Sequence, residues 1–160
     1  MFTMIEYLKN IFTASTNLVA IIPIKQSYKS NDFITCSFIM NAMTASLISH
    51  LFESHKHGLY GFGMPHIYSY YLNRWDVISA ILLFLRIVYL IFENKERIFN
   101  LKFGIILDIL VKASLYMICN KISEQNKTLA YQHIFLLYHN IWHTGIFLTL
   151  RDVLVLIYKK

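Results

Sequence analysis

Four stretches of this 160-residue chain are apolar for long enough to cross a lipid bilayer. A bilayer core needs about 20 mostly apolar residues per helix, with a range of roughly 17–25. Phe33–Phe52 is uncharged until its histidine, and Trp75–Phe92 carries only Asp76 at its start and Arg86 within. Ile98–Cys119 contains Lys102, Asp108 and Lys112, and Leu129–Leu150 holds a histidine pair before continuing into Val153–Tyr158. A fifth stretch, Tyr7–Ile24, is weaker: Lys9, Asn10 and Asn17 interrupt it and Pro23 closes it. Its small-residue pattern is poor for signal-peptide cleavage, so it reads as a retained first helix. The expected fold is all-α: a polytopic transmembrane helical bundle of about five spans, forming a single domain over residues 1–160.

Composition agrees. The chain is 56% hydrophobic and 15% charged, whereas soluble domains carry about 45–50% apolar and 25% charged residues. Five Gly and two Pro leave little material for a loop-rich fold. The net charge of +6 is scattered between apolar runs with no dense basic patch, which argues against nucleic acid as a partner. Cys36 and Cys119 both lie inside apolar segments, where free Cys packs as a small hydrophobe, and no disulfide framework is indicated. The longest polar connection, Glu53–Arg74, ends in Tyr68, Tyr70 and Tyr71 before Trp75, a composition suited to an interfacial aromatic belt.

The polar residues that remain inside the spans are the informative ones. His139 and His143 are four apart, so on a helix both imidazoles share one face. Ser46 and His50 repeat that spacing near the end of the second span, and Asp76 opens the third. Following the alternation of five spans, all five residues reach one side of the membrane, side A, at roughly one depth. An ionisable cluster gathered from separate spans is costly to keep and marks a functional site. Three imidazoles match the three protein ligands of a catalytic zinc, leaving a fourth position for water. Asp76 is placed to accept that water's proton, and Ser46 to donate a hydrogen bond to a developing oxyanion or to support the site from behind. Each residue alone has a plainer explanation. Histidines near an interface solvate their polar edge, a helical Ser bonds its own backbone, and an Asp at a helix start favours the macrodipole.

Other charges carry less. Asp108 and Lys112 are four apart and pair with each other, and Arg86 pairs within the bundle or with a lipid phosphate. His55, His57 and His66 read as solvated loop histidines, while Glu53, three residues after His50, is placed to support that ligand.

The set Ser46-x3-His50, Asp76 and His139-x3-His143 resembles the CREST superfamily of membrane hydrolases. That superfamily groups alkaline ceramidases, adiponectin and progestin receptors, GPI-remodelling phospholipases and myomaker-like proteins. His139-Asn140-Ile141-Trp142-His143 looks most like the GPI-remodelling and myomaker-like branches. The resemblance implies zinc bound by His50, His139 and His143, with Ser46 and Asp76 completing the site. The family has seven helices and this chain has room for about five, so it resembles a reduced CREST-like fold. Losing two helices between spans three and five keeps the parity, and the lipid cavity is then smaller or completed by a second copy of the chain.

Two functions follow as expectations. One is a zinc-dependent hydrolase cleaving an acyl ester or amide bond of a membrane lipid. The alternative is a non-enzymatic, receptor-like or membrane-remodelling protein whose metal is structural. A carrier using Asp108, Lys112 and Arg86 is disfavoured, because no paired halves are visible. Side A carries Lys9, Lys56, Arg74, Lys121 and Lys127, against the more numerous Lys25, Lys29, Lys95, Arg97, Lys102, Arg151, Lys159 and Lys160 on side B. That places side B in the cytoplasm and the site on the lumenal or extracellular side.

Overall fold

Local chemistry decides where the helices start and break. The structure, a computed structural model, describes residues 4–52, 66–100, 103–126 and 132–158. Helix α1 (Met4–Ser15) passes through a short 3₁₀ segment, Thr16–Ala20, into α2 (Ile21–Lys29). The break falls on a run of polar side chains that bond their own backbone. Ser15 Oγ donates to the Phe12 carbonyl at 2.7 Å, Thr16 Oγ1 to that of Thr13 at 2.7 Å, and Asn17 Nδ2 to that of Ala14 at 3.2 Å. Such back-bonding competes with the α-ladder and tightens it. Pro23, expected to close this span, sits instead in the first turn of α2, where a missing N–H costs little.

A tight turn joins α2 to α3 (Phe33–Leu51). Asn31 occupies it with φ 59°, a left-handed conformation that Asn tolerates better than most residues. Asp32 then caps α3, accepting from Thr35 N at 2.9 Å. The turn makes α2 and α3 antiparallel, so α1 begins beside the end of α3, where Asn10 Nδ2 donates to the Leu51 carbonyl at 3.4 Å.

Helix α4 (His66–Glu93) starts well before Trp75, where the sequence placed it. The exposed Tyr68, Tyr70 and Tyr71 are its first turns and not part of a loop. As a result Asp76 lies inside the helix and not in its first turn. Three hydrogen bonds hold α3 and α4 in a single antiparallel register: Ser69 Oγ to the Phe52 carbonyl, Asn41 Nδ2 to Ser79 Oγ, and Arg86 Nε to Thr35 Oγ1. The expected span Ile98–Cys119 resolves into a short charged helix, α5 (Lys95–Phe99), and α6 (Phe103–Gln125). Asn94 and Asn100 flank α5, as residues that prefer turns to helix interiors. The last helix, α7 (Gln132–Tyr158), closes the fold.

Among the described residues four helices are long and apolar enough to cross a membrane, Phe33–Leu51, Ile67–Glu93, Phe103–Gln125 and His133–Tyr158; the expected first span, Tyr7–Ile24, is divided among α1, the 3₁₀ segment and α2 and is not one of them. The protein is an all-α integral membrane bundle. The N-terminal pieces pack between α3 and α7, with α4 against α3 and α6 against α7 on the outside. Ala20 and Ala42 are among the core residues, small enough to let these helices approach closely around Ile39, Leu83, Phe147 and Leu154. Cys36 is buried, Cys119 half-buried, and both are free thiols.

The end of the bundle opposite His50 is held by one ion cluster. Arg86 Nη2 lies 3.1 and 3.0 Å from the two Asp32 carboxylate oxygens, and Tyr158 donates its hydroxyl to Asp32 Oδ2 at 2.8 Å. Burial pushes the Asp32 carboxyl up, but hydrogen bonds from Thr35 and Tyr158 and the Arg86 charge outweigh it and hold it below the ordinary carboxylate value. Arg86 therefore pairs within the bundle.

Candidate metal centre

The three histidines meet. His50 Nε2 lies 3.0 Å from His143 Nε2 and 3.1 Å from His139 Nε2, and the last two are 2.9 Å apart. All three side chains are buried, and together they form a group able to hold a metal ion.

Each ligand is delivered by local structure. His50 rides on the last turn of α3, whose terminal carbonyls are tied down by Asn10 from α1 and Ser69 from α4. His139 and His143 sit one turn apart on α7. The His139 ring stacks on Phe135, with centroids 4.8 Å apart and planes at 23°. Its Nδ1 lies 3.5 Å from Ser123 Oγ, which spends its own proton on the Asn120 carbonyl at 2.8 Å. A Ser123 hydroxyl that accepts from Nδ1–H would leave the Nε2 lone pair facing the other two rings.

The donor set fits a cation. Three Nε2 atoms at mutual contact cannot all be satisfied by one another, because each carries either a proton or a lone pair. If two are unprotonated, their lone pairs oppose each other in a buried space. The three Nε2 atoms are close enough together that His50, His139 and His143 could all bind one ion at the usual Zn–N distance of about 2.0–2.1 Å. Ser46 adds a second sign of fit. It is 3% exposed, one turn below His50, and its Oγ is buried without a hydrogen-bond partner.

Asp76 is half-buried on α4. In the α3–α4 register it lies level with Ala45, beside the turn that carries Ser46. Its neighbour Trp75 donates its indole N–H to Asn41 Oδ1 at 3.3 Å. Glu53, His55 and His57 lie outside the described residues, and His66 begins α4. Asp108 and Lys112 pair at 2.6 Å as expected, with Asp152 of α7 joining them at 3.6 Å. Sequence reading missed the supporting residues Ser123 and Phe135. Phe135 is one turn before His139 and was visible by spacing, whereas Ser123 is brought in by the α6–α7 pairing and has no local signal.

Fold and site together define a polytopic helical membrane protein with a buried three-histidine centre. The uncharacterized protein L282 of Acanthamoeba polyphaga mimivirus is 34% identical over 150 residues, covering 88% of this chain and 92% of the viral protein. The chain belongs to the family of that viral protein. No family model matches the chain, and no solved structure matches it.

Proposed function

We propose that this protein is a CREST-like, zinc-dependent membrane hydrolase that cleaves an acyl ester or amide bond of a lipid. The observation that carries the reading is the triangle of Nε2 atoms at 2.9–3.1 Å, drawn from two helices far apart in sequence. Zinc held there would supply a water of near-neutral pKa and polarise a carbonyl. The chain's own residues do the rest. Asp76 accepts a proton at its carboxylate, and Ser46 Oγ donates a hydrogen bond to the carbonyl oxygen as charge develops on it. The exposed apolar face of α4 lets an acyl chain approach from within the bilayer. Ser46 gains support from its unpartnered, buried hydroxyl, and Asp76 from its level in the α3–α4 register.

The burial of all three imidazoles favours a second reading, a non-enzymatic protein with a structural metal. Asp76→Asn separates the two. Under the hydrolase reading, the variant keeps its metal and loses about 10²–10⁴-fold in turnover on an ester and amide lipid panel. Equal turnover in the variant removes Asp76 as the base. A metal-loaded parent inactive on the whole panel favours the structural metal. The site side is proposed to face the lumen or exterior, following the excess of Lys and Arg on the opposite side.

A further inference from the structure

An ion network sits on the outer face of the bundle, on two helices long and apolar enough to cross a membrane. Lys112 Nζ is 2.6 Å from Asp108 Oδ2 and 3.6 Å from Asp152 Oδ2, and Arg151 Nη2 is 2.6 Å from Asp152 Oδ1. The side chains of Asp108, Lys112 and Arg151 are 57%, 41% and 42% exposed. The contact of Tyr158 with Asp32 marks one end of the bundle. Asp152 comes six residues earlier on the same helix, about 9 Å further in. Charges held there against hydrocarbon are expensive even when paired.

The helix carrying two of them is the least covered of the four candidate spans. Ser123 is the only buried residue of α6 among those described, and α6 packs against α7 alone among its well-contacted neighbours. Val111 and Leu115, each one helical turn beyond a member of the Asp108–Lys112 pair, are about half exposed beside the ion cluster. Lipid headgroups do not suit this patch. A lysine or arginine can stretch toward a phosphate, but the short Asp152 carboxylate cannot leave its depth, and a phosphate would repel it. A patch of two acids and two bases, neutral overall with both signs exposed, complements itself under a twofold rotation.

We propose that the α6 face docks against the α6 face of a second copy of this chain. The Asp108, Lys112, Arg151 and Asp152 clusters then meet at the centre, screened from lipid, and bond across the interface as polar groups between transmembrane helices do. This pairing does not depend on the metal or on hydrolysis.

The test uses donor- and acceptor-tagged full-length chains in phosphatidylcholine vesicles, with energy transfer followed against protein-to-lipid ratio. The parent should show transfer well above a random-proximity control. Asp108→Leu/Lys112→Leu removes one acid and one base while leaving Arg151–Asp152 intact, and should weaken pairing about tenfold. A parent at the control level means that lipid or another protein covers the face, and overturns the proposal. So does a variant that pairs as tightly as the parent. A second measurement needs no change to the ion cluster. In a Cys119→Ser background, Leu115→Cys should form an intermolecular disulfide on oxidation, whereas Phe84→Cys, 65% exposed on α4, should not. The reverse pattern locates the interface elsewhere and also overturns the proposal.

Discussion

His50 and His143 are ninety-three residues apart in the chain, yet their Nε2 atoms stand 3.0 Å from each other inside the bundle. Neutral imidazoles at that distance pair only if one nitrogen carries a proton and the other does not, and His139 brings a third Nε2 within 3.1 Å of both. A shared cation would take up all three lone pairs at once.

Metal content follows. Detergent-purified protein should carry one zinc per chain by elemental analysis. His139→Ala/His143→Ala should lose it and unfold at lower temperature, since a metal that binds only the native state stabilises it. A double variant with full metal content would rule the triangle out as the site.

Asp32 gives a pH dependence at the other end of the fold. Its folded-state carboxyl is held below the ordinary value of 3.8. Stability from its Thr35, Tyr158 and Arg86 contacts is therefore fully present above that value and lost as pH falls through the depressed one. Asp32→Asn should cost about 2–4 kcal/mol at neutral pH and flatten the acid limb of melting temperature against pH. An acid limb as steep as the parent's would mean that another group controls it.

Gly145 sets the distance between α6 and α7. A methyl group there would collide with the ring of Tyr116. Gly145→Ala should destabilise by about 1–3 kcal/mol and loosen Ser123 from His139. Tyr116→Ala in the same chain should recover part of that loss. A fully stable Gly145→Ala would show that Tyr116 yields without moving the helix.

Sidedness is open to labelling. Cysteine placed at Lys56 should react with an impermeant thiol reagent from outside intact cells, and cysteine at Lys160 should not. The opposite result reverses the orientation and leaves the convergence of histidines untouched.

The histidines, the pairing of Asp108 with Lys112 and the transmembrane class were legible because each follows from spacing or from runs of apolar residues. Span ends were less so. Tyr68, Tyr70 and Tyr71 are too polar to extend an apolar window, yet they form helix, because a helix continues through the interface once its neighbours hold it. The Asp32–Arg86–Tyr158 cluster was invisible for a different reason. Its members come from three elements, and no local pattern encodes which carboxylate Arg86 will meet. The same holds for Ser123, whose role depends on the pairing of α6 with α7.

Two of the three imidazoles and the tyrosine that closes the Asp32 cluster all ride on α7. Until α7 is made, the membrane therefore holds one of the three imidazoles, His50, without the other two. Assembly of the three-histidine group and closure of the far end both wait for α7 to enter the bilayer. A ribosome stalled before residue 132 leaves a chain without His139, His143 and Tyr158, and completion of α7 is the event that brings the three imidazoles together.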